Sequence, residues 1–131
     1  MKISDQEAHY YLSRKNWLTA TIQQIKKDLF WQNIDLQLSV STSMEELQEQ
    51  LSQLFSYLEQ EEYQTFLNIL YRVDIVEEHI QKAMSETLDV SFSDVIAKLL
   101  INRCLLKVLI KYHFSNQENR VRKDFLINKI E

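Results

Sequence analysis

The chain of 131 residues contains neither glycine nor proline, although average proteins contain about 7% of the first and 5% of the second. Glycine supplies the positive φ angles of hairpin turns, and proline is common in loops and at edge strands. A chain that lacks both residues is poorly suited to a β-sandwich or a doubly wound sheet. Long helices joined by short polar turns depend on them less. The sequence therefore predicts an all-α, single-domain bundle of four to five helices.

The missing glycines also exclude several kinds of functional site. The phosphate-binding P-loop, the dinucleotide-binding G-x-G-x-x-G and the G-x-S-x-G nucleophile elbow all require glycine where the backbone turns sharply or approaches a ligand. None of these motifs is present. We therefore do not expect a nucleotide-binding protein or a hydrolase of these types.

Metal ligands and membrane segments are also scarce. No histidine has a glutamate three residues before it, so the Glu-x-x-His motif of di-iron bundles is missing. The single cysteine, Cys104, cannot form an intramolecular disulfide, which is typical of a reducing cytosol. Lys98, Arg103 and Lys107 interrupt the most hydrophobic segment, and the N-terminus has no signal-peptide pattern. We expect a cytoplasmic protein without metal, cofactor or membrane span.

Helix boundaries are indicated by local motifs. Ser4 and Ser43 each precede a glutamate by three residues, which is the spacing of a capping box, and Ser91 or Ser93 could cap the last helix. Apolar side chains alternate with polar ones over residues 33–42, so we expect an extended linker that packs onto the bundle. The predicted helices cover about residues 5–31, 44–58 with a continuation or a further helix to about 72, 75–86 and 92–113, and a polar, partly helical tail covers 115–131.

Residues 70–79, LYRVDIVEEH, look most like a site, because a tyrosine, an arginine, an aspartate, two glutamates and a histidine lie within ten positions. Asp74 and Glu77 have the spacing of an N-cap and its partner three residues later, and Arg72 suits the end of the preceding helix. We expect Asp74→Ala to cost about 1 kcal/mol, as N-cap losses do. His79 has no such role. The alternative is a ligand or partner site built on Arg72 and Asp74.

Charge is segregated along the chain. Residues 44–94 contain twelve acids and two bases, whereas residues 95–129 contain eight bases and two acids. Either the basic C-terminal helix packs beside the acidic middle helices, or it presents a basic strip to an acidic partner. The helix at 92–113 is apolar almost all round, which is typical of a central bundle helix; the alternative is a homodimer contact. Cys104 within it is expected to be a small buried hydrophobe rather than a reactive thiol.

Three functions remain open. The first is a non-enzymatic protein-interaction or regulatory module, which binds another protein or a second copy of this chain. The second is an enzyme whose site has no recognisable motif, and the third is contact with nucleic acid through Arg120, Arg122 and Lys123. The candidate partner-binding residues are Arg72, His79, Arg103, Lys107 and Lys111.

Two segments carry a resemblance. EYQTFLNILYRVDIVEEHIQKAM, followed by SDVIAKLLINRCLLKVLIKYHFS, resembles a group of small, uncharacterised bacterial all-helical proteins. These proteins have a helix that ends in L-Y-R-[IV]-D, a capped helix after it, and a helix with I-x-x-R and a following lysine. The resemblance covers about residues 44–113 and implies an all-helical fold in a bacterial cytoplasm. This chain has Cys104 and Leu105 where that pattern has charged residues, and no functional residue follows from the resemblance.

Overall fold

The computed structural model describes residues 3–38, 42–87 and 89–130, with side chains described up to residue 115. Within these ranges the chain forms helices and no strand, which confirms the predicted all-α bundle. The described helices number six, one more than the expected four to five, because the helix expected over 5–31 is divided in two; the further helix before residue 72, which the sequence left open, is present. They are α1 (Asp5–Leu12), α2 (Lys15–Phe30), α3 (Met44–Glu61), α4 (Tyr63–Arg72), α5 (Glu77–Glu86) and α6 (Phe92–Ile130).

The first predicted helix is interrupted at Ser13 and Arg14, between α1 and α2. The Ser13 hydroxyl donates to the Tyr10 carbonyl at 2.9 Å, and the Arg14 amide donates to Tyr11 in the tighter i→i+3 pattern. A serine side chain that bonds to the preceding turn competes with the helical ladder. The expected continuous helix over 5–31 was therefore wrong at this point.

The first half of α6 is the centre of the bundle. It packs against α2, α3 and α5, and most of its apolar side chains up to Leu106 are buried, while Phe92 and Leu99 are half-buried. The prediction of a central bundle helix is confirmed. The exposed side chains of residues 92–113 are Lys98 and those at 111–113, with 107–110 half-buried, so a homodimer contact through this segment would use mainly its end. Among the described residues, no helix is long and apolar enough to cross a membrane.

The segment between α2 and α3 is extended and covers part of the core. Ile34, Leu36 and Leu38 are half-buried against the hydrophobic cluster, and the alternating polar residues Asp35 and Gln37 are exposed. The linker prediction is confirmed for residues 34–38; Val40 lies outside the described residues.

Serine hydroxyls begin three of the helices, as their spacing predicted. Ser4 accepts from the Glu7 amide at 3.1 Å, and the Glu7 carboxylate accepts in return from the Ser4 amide. Ser43 accepts from the Glu46 amide at 3.1 Å, and Ser91 accepts from the Asp94 amide at 3.2 Å. These bonds satisfy helix-terminal donors that have no partner in the helix itself.

The predicted N-cap role of Asp74 was wrong. Helix α5 starts at Glu77, and its N-cap is Val76, which makes no side-chain cap. Asp74 instead closes α4: it has φ 62°, its amide donates to Tyr71, and the Ile75 amide donates back to Leu70 at 2.9 Å. This pair of bonds is the Schellman motif, whose left-handed residue is usually glycine.

Asn33 closes α2 in the same way. It has φ 59°, its amide donates to Phe30 at 2.9 Å, and the Ile34 amide donates to Leu29 at 3.2 Å. Asparagine and aspartate tolerate left-handed angles better than other residues with a Cβ. Among the described residues the positive φ angles belong to Asn33, Asp74 and Asp89, so Asn and Asp take the place of the missing glycine.

Substitution of Asn33 tests this explanation. We expect Asn33→Ala to lower the free energy of unfolding by about 1 kcal/mol, because a Cβ that makes no local hydrogen bond is unfavourable at this φ. Asn33→Gly should keep or increase the stability, whereas Gln23→Gly in the middle of α2 should cost about 1 kcal/mol. Urea denaturation measures all three. Equal losses at positions 33 and 23 on substitution by glycine would contradict the left-handed role.

Candidate functional site

Helices α2, α4 and α6 meet at a buried carboxylate. Asp28 is 3% exposed, and Lys107 donates to it at 2.9 Å. The Arg72 guanidinium lies 3.5 Å from its other oxygen, while Gln24 donates at 3.2 Å and the Cys104 thiol lies at 3.6 Å. One aspartate therefore holds together groups from three helices that are distant in sequence.

Lys111 extends the same network by one turn. Its ammonium donates to the Gln24 carbonyl oxygen at 2.7 Å. Gln24 and Asp28 are four residues apart on α2, and Lys107 and Lys111 are four apart on α6, so each pair lies along one helix face. We call this network the Asp28 cluster; it consists of Gln24, Asp28, Arg72, Cys104, Lys107 and Lys111.

The Asp28 cluster determines the protonation states of the Asp28 carboxyl and the Cys104 thiol. Burial alone would raise the pKa of Asp28, but the hydrogen bonds from Lys107 and Gln24 and the charge of Lys107 outweigh it, so the pKa lies below its ordinary value. Burial, together with the neighbouring Asp28 charge, raises the pKa of the Cys104 thiol far above its usual range. Cys104 is therefore a buried, protonated side chain, as its apolar neighbours in the sequence indicated. Because the thiolate is the nucleophilic form of cysteine, this thiol is not a reactive one.

Three of the five candidate partner-binding residues belong to the Asp28 cluster. Arg72, Lys107 and Lys111 direct their charged groups toward α2 of their own chain. Lys107 and Lys111 of α6 therefore have an internal structural role in stabilising the bundle. Sequence reasoning missed Asp28 as the common partner; the available signal was the pair Gln24 and Asp28 on an otherwise apolar helix face.

The other two candidates, His79 and Arg103, lie in a groove between α5 and α6. Arg103 donates to the Val73 carbonyl at 3.1 Å and pairs with Asp74 at 3.2 Å. The groove has a volume of about 410 Å³, which is within the range of small-molecule sites, roughly 300–1,000 Å³. Its apolar lining consists of Ile3, Ile75, Ala83, Val90, Val95, Leu99 and Leu106.

Large apolar side chains are exposed on α4 and at the end of α2. Tyr63, Leu67 and Tyr71 are spaced by four residues, so they form one stripe on α4, and Tyr71 is 90% exposed. Trp31 is also exposed, and the Arg72 guanidinium lies 4.8 Å from the centre of its ring. We call Trp31, Tyr63, Leu67 and Tyr71 the aromatic face. Arg72 links this face to the Asp28 cluster.

Two of the histidines have different surroundings in this fold. His9 is exposed on α1, whereas His79 shares the α5–α6 groove with the carboxylates of Asp74 and Glu86. Ser52 donates to Asp94 at the start of α6, but this pair includes no histidine. Within residues 3–38, 42–87 and 89–115, no three metal-binding side chains come together.

Comparison with known proteins assigns no family, because no family model, no curated protein and no solved structure matches the chain. The resemblance over residues 44–113 stays a prediction.

The Asp28 cluster predicts how stability depends on Lys107. We expect Lys107→Met to reduce the free energy of unfolding by about 3 kcal/mol at pH 7, because it leaves a buried carboxylate with less compensation. The control, Lys98→Met, removes an exposed pair with Asp5 and should cost less than about 1 kcal/mol.

The same variant has a defined pH dependence. The pKa of Asp28 is lowered in the folded chain, so its ion pairs add stability above the unfolded pKa of about 4, and this is lost as the pH falls through the folded pKa. The difference between the wild type and Lys107→Met should therefore shrink between pH 7 and pH 3. Urea denaturation at both values measures it, and a constant difference would be the contrary result.

Proposed function

We propose that this chain is a non-enzymatic protein-interaction module whose aromatic face binds a basic, amphipathic segment of another protein. The observation that carries the proposal is the distribution of charge after folding. The cations of the first half of α6 form ion pairs or hydrogen bonds with other side chains of this chain. Most acids of the middle helices, among the described residues, form no ion pair.

Each cation in the first half of α6 has a partner in the same chain. Lys98 pairs with Asp5, Arg103 with Asp74 and Lys107 with Asp28, and Lys111 donates to Gln24. Of these four cations, Arg103 is the one whose ion pair joins α6 to the acidic middle region. These four basic side chains therefore have internal partners, which leaves little reason to assign them an acidic partner. The side chains of Arg120, Arg122 and Lys123, the candidates for nucleic-acid contact, lie outside the described residues.

The acids remain available on the surface. Residues 44–94 have twelve acids and two bases, and among the described residues Asp74 is the acid of this region that forms a salt bridge. Glu61 and Glu62 are exposed immediately before Tyr63, at one end of the aromatic face. A negative field next to this face favours encounter with a positively charged partner.

The aromatic face has the composition of a contact surface. Tyrosine and tryptophan are enriched at the centres of protein interfaces, where they contribute much of the binding free energy. The Trp31 ring is held by Arg72, which is itself fixed by Asp28, so this part of the face is preorganised. Tyr63 stacks on Phe66, a core residue, with ring centres 5.9 Å apart. Fixed aromatic anchors lose less entropy on binding than mobile ones.

A cytoplasmic location and a bacterial source belong to the same proposal. Cys104 is a buried free thiol, which fits a reducing compartment. Self-association through the exposed residues of α6 stays a prediction, and light scattering over a range of protein concentrations would measure it.

A panel of synthetic peptides tests the interaction. The peptides are amphipathic helices with one apolar face and a basic, neutral or acidic polar face, and calorimetric titration measures their affinity for the full chain. We expect the basic peptide to bind most tightly and to weaken with salt, because charge attraction contributes. Tyr71→Ser should weaken it about tenfold or more, as loss of an interface anchor does.

Tyr10→Ser is the matched control, since Tyr10 is a similarly large exposed ring on α1. It should leave peptide affinity unchanged. Equal binding of the acidic and basic peptides would refute the charge argument, and an unaltered affinity of Tyr71→Ser would exclude the aromatic face.

A further inference from the structure

The groove between α5 and α6 is a second concave feature, separate from the aromatic face. Helix α5 has no buried residue, and its main packing partner is α6. Ile80 alone among its side chains packs partly buried against the core cluster. Helix α5 therefore packs loosely beside the apolar side chains that line the groove. A loosely packed helix can shift when a ligand binds.

The two helices run in opposite directions, which gives the groove two different ends. The Arg103–Asp74 pair marks one end, and Val90 and Asp94, where the chain turns from α5 into α6, mark the other. His79 and Asn102 lie near the Arg103 end by this antiparallel register. The middle is lined by Ala83, Leu99 and other apolar side chains.

Three hydrogen-bonding side chains lie together at the Arg103 end, whereas the lining lysines, Lys82 and Lys98, lie farther along the groove by the antiparallel register. Arg103 uses Nε for the Val73 carbonyl and Nη2 for Asp74, which leaves further N–H groups of the same guanidinium for a ligand. The Asn102 amide and the His79 ring can add donors. Asp74, the acid at this end, is largely exposed to water, so its pair with Arg103 is weak enough to be rearranged.

Acids are more prominent at the opposite end. Asp94 accepts from Ser52, Asp5 pairs with Lys98, and Glu86 also lines the groove. Lys82 and Lys98 offset two of these three acids, so the charge there is slightly negative and an anionic group is favoured more near Arg103. An apolar body would lie between the ends, along Leu99 and Ala83, where it would cover partly exposed hydrophobic surface.

We propose that this groove binds a medium-chain fatty acid. The carboxylate receives hydrogen bonds from Arg103, with Asn102 and His79 beside it, and the alkyl chain lies along Ala83, Leu99 and Val95. Arginine is suited to this role because its fork of donors matches a carboxylate. The site is independent of the proposed protein interaction, since it uses neither the aromatic face nor the Asp28 cluster.

Calorimetric titration of the full chain with three ten-carbon probes tests the proposal. These are decanoate, decan-1-ol and decylammonium, each below the concentration at which it aggregates. We expect decanoate to bind at least tenfold more tightly than decylammonium, with decan-1-ol between them. Equal affinity for decanoate and decylammonium would overturn the proposed recognition of the carboxylate.

Variants locate the site. Asp74→Asn removes the competing carboxylate while keeping a residue that tolerates a positive φ, so it should tighten decanoate several-fold and leave decan-1-ol unchanged. Arg103→Gln should weaken decanoate about tenfold, and Ala83→Phe should abolish binding of both probes by filling the groove. Lys15→Gln, an exposed change at the start of α2, is the control and should have no effect.

The variants remain informative if one of them is unstable. Arg103→Gln loses a bond to the Val73 carbonyl, so its fold is checked by circular dichroism, and Asp74→Asn carries the charge test if that check fails. Weaker or unchanged decanoate binding by Asp74→Asn would contradict a carboxylate site beside Arg103. Unchanged binding by a folded Ala83→Phe would place the fatty acid elsewhere on the protein.

Discussion

The Asp28 carboxylate is the interaction on which the arrangement of this bundle depends. It lies among apolar side chains, so its charge is tolerated because Lys107, Arg72 and Gln24 surround it. Removing a charge from water is costly, and only well-placed partners compensate for it. The requirement fixes the rotation of α6 against α2 and positions the end of α4, since a rotated α6 would leave the carboxylate without Lys107.

The charge distribution on the protein surface follows from these internal contacts of the basic side chains. The described basic side chains of α6, from Lys98 to Lys111, are held by α1, α2 and the α4–α5 turn, so these four contribute little to a basic binding strip. Acids on the middle helices remain exposed, beside a stripe of exposed aromatic side chains. Arg72 belongs to both regions, because it contacts Asp28 and the Trp31 ring. The core and the proposed protein-binding surface are thus connected through one side chain.

Sequence reasoning succeeded where structure is determined by near neighbours. Ser4 and Ser43 were recognised as caps from the glutamate three residues later, and Ser91 was one of two candidates with Ser93; each of the three accepts from an amide three residues later. It failed for Asp28, whose partner Lys107 is 79 residues away, and for Asp74, whose spacing from Glu77 also fits an N-cap. In a chain without glycine, an aspartate before a new helix can instead supply the left-handed end of the previous one. His79 lies in the α5–α6 groove, a position that no local sequence pattern indicated.

A double-mutant cycle on Asp28 and Lys107 tests the central claim most directly. The cycle compares the free energies of unfolding of the wild type, Asp28→Leu, Lys107→Met and the double variant. The single changes should each be destabilising, because one charged partner remains in a mostly apolar setting. The double variant should recover a large part of the loss, with a coupling energy of about 2 kcal/mol or more, since apolar replacement of a whole buried pair is often tolerated. Additive losses, with a coupling energy near zero, would contradict the account.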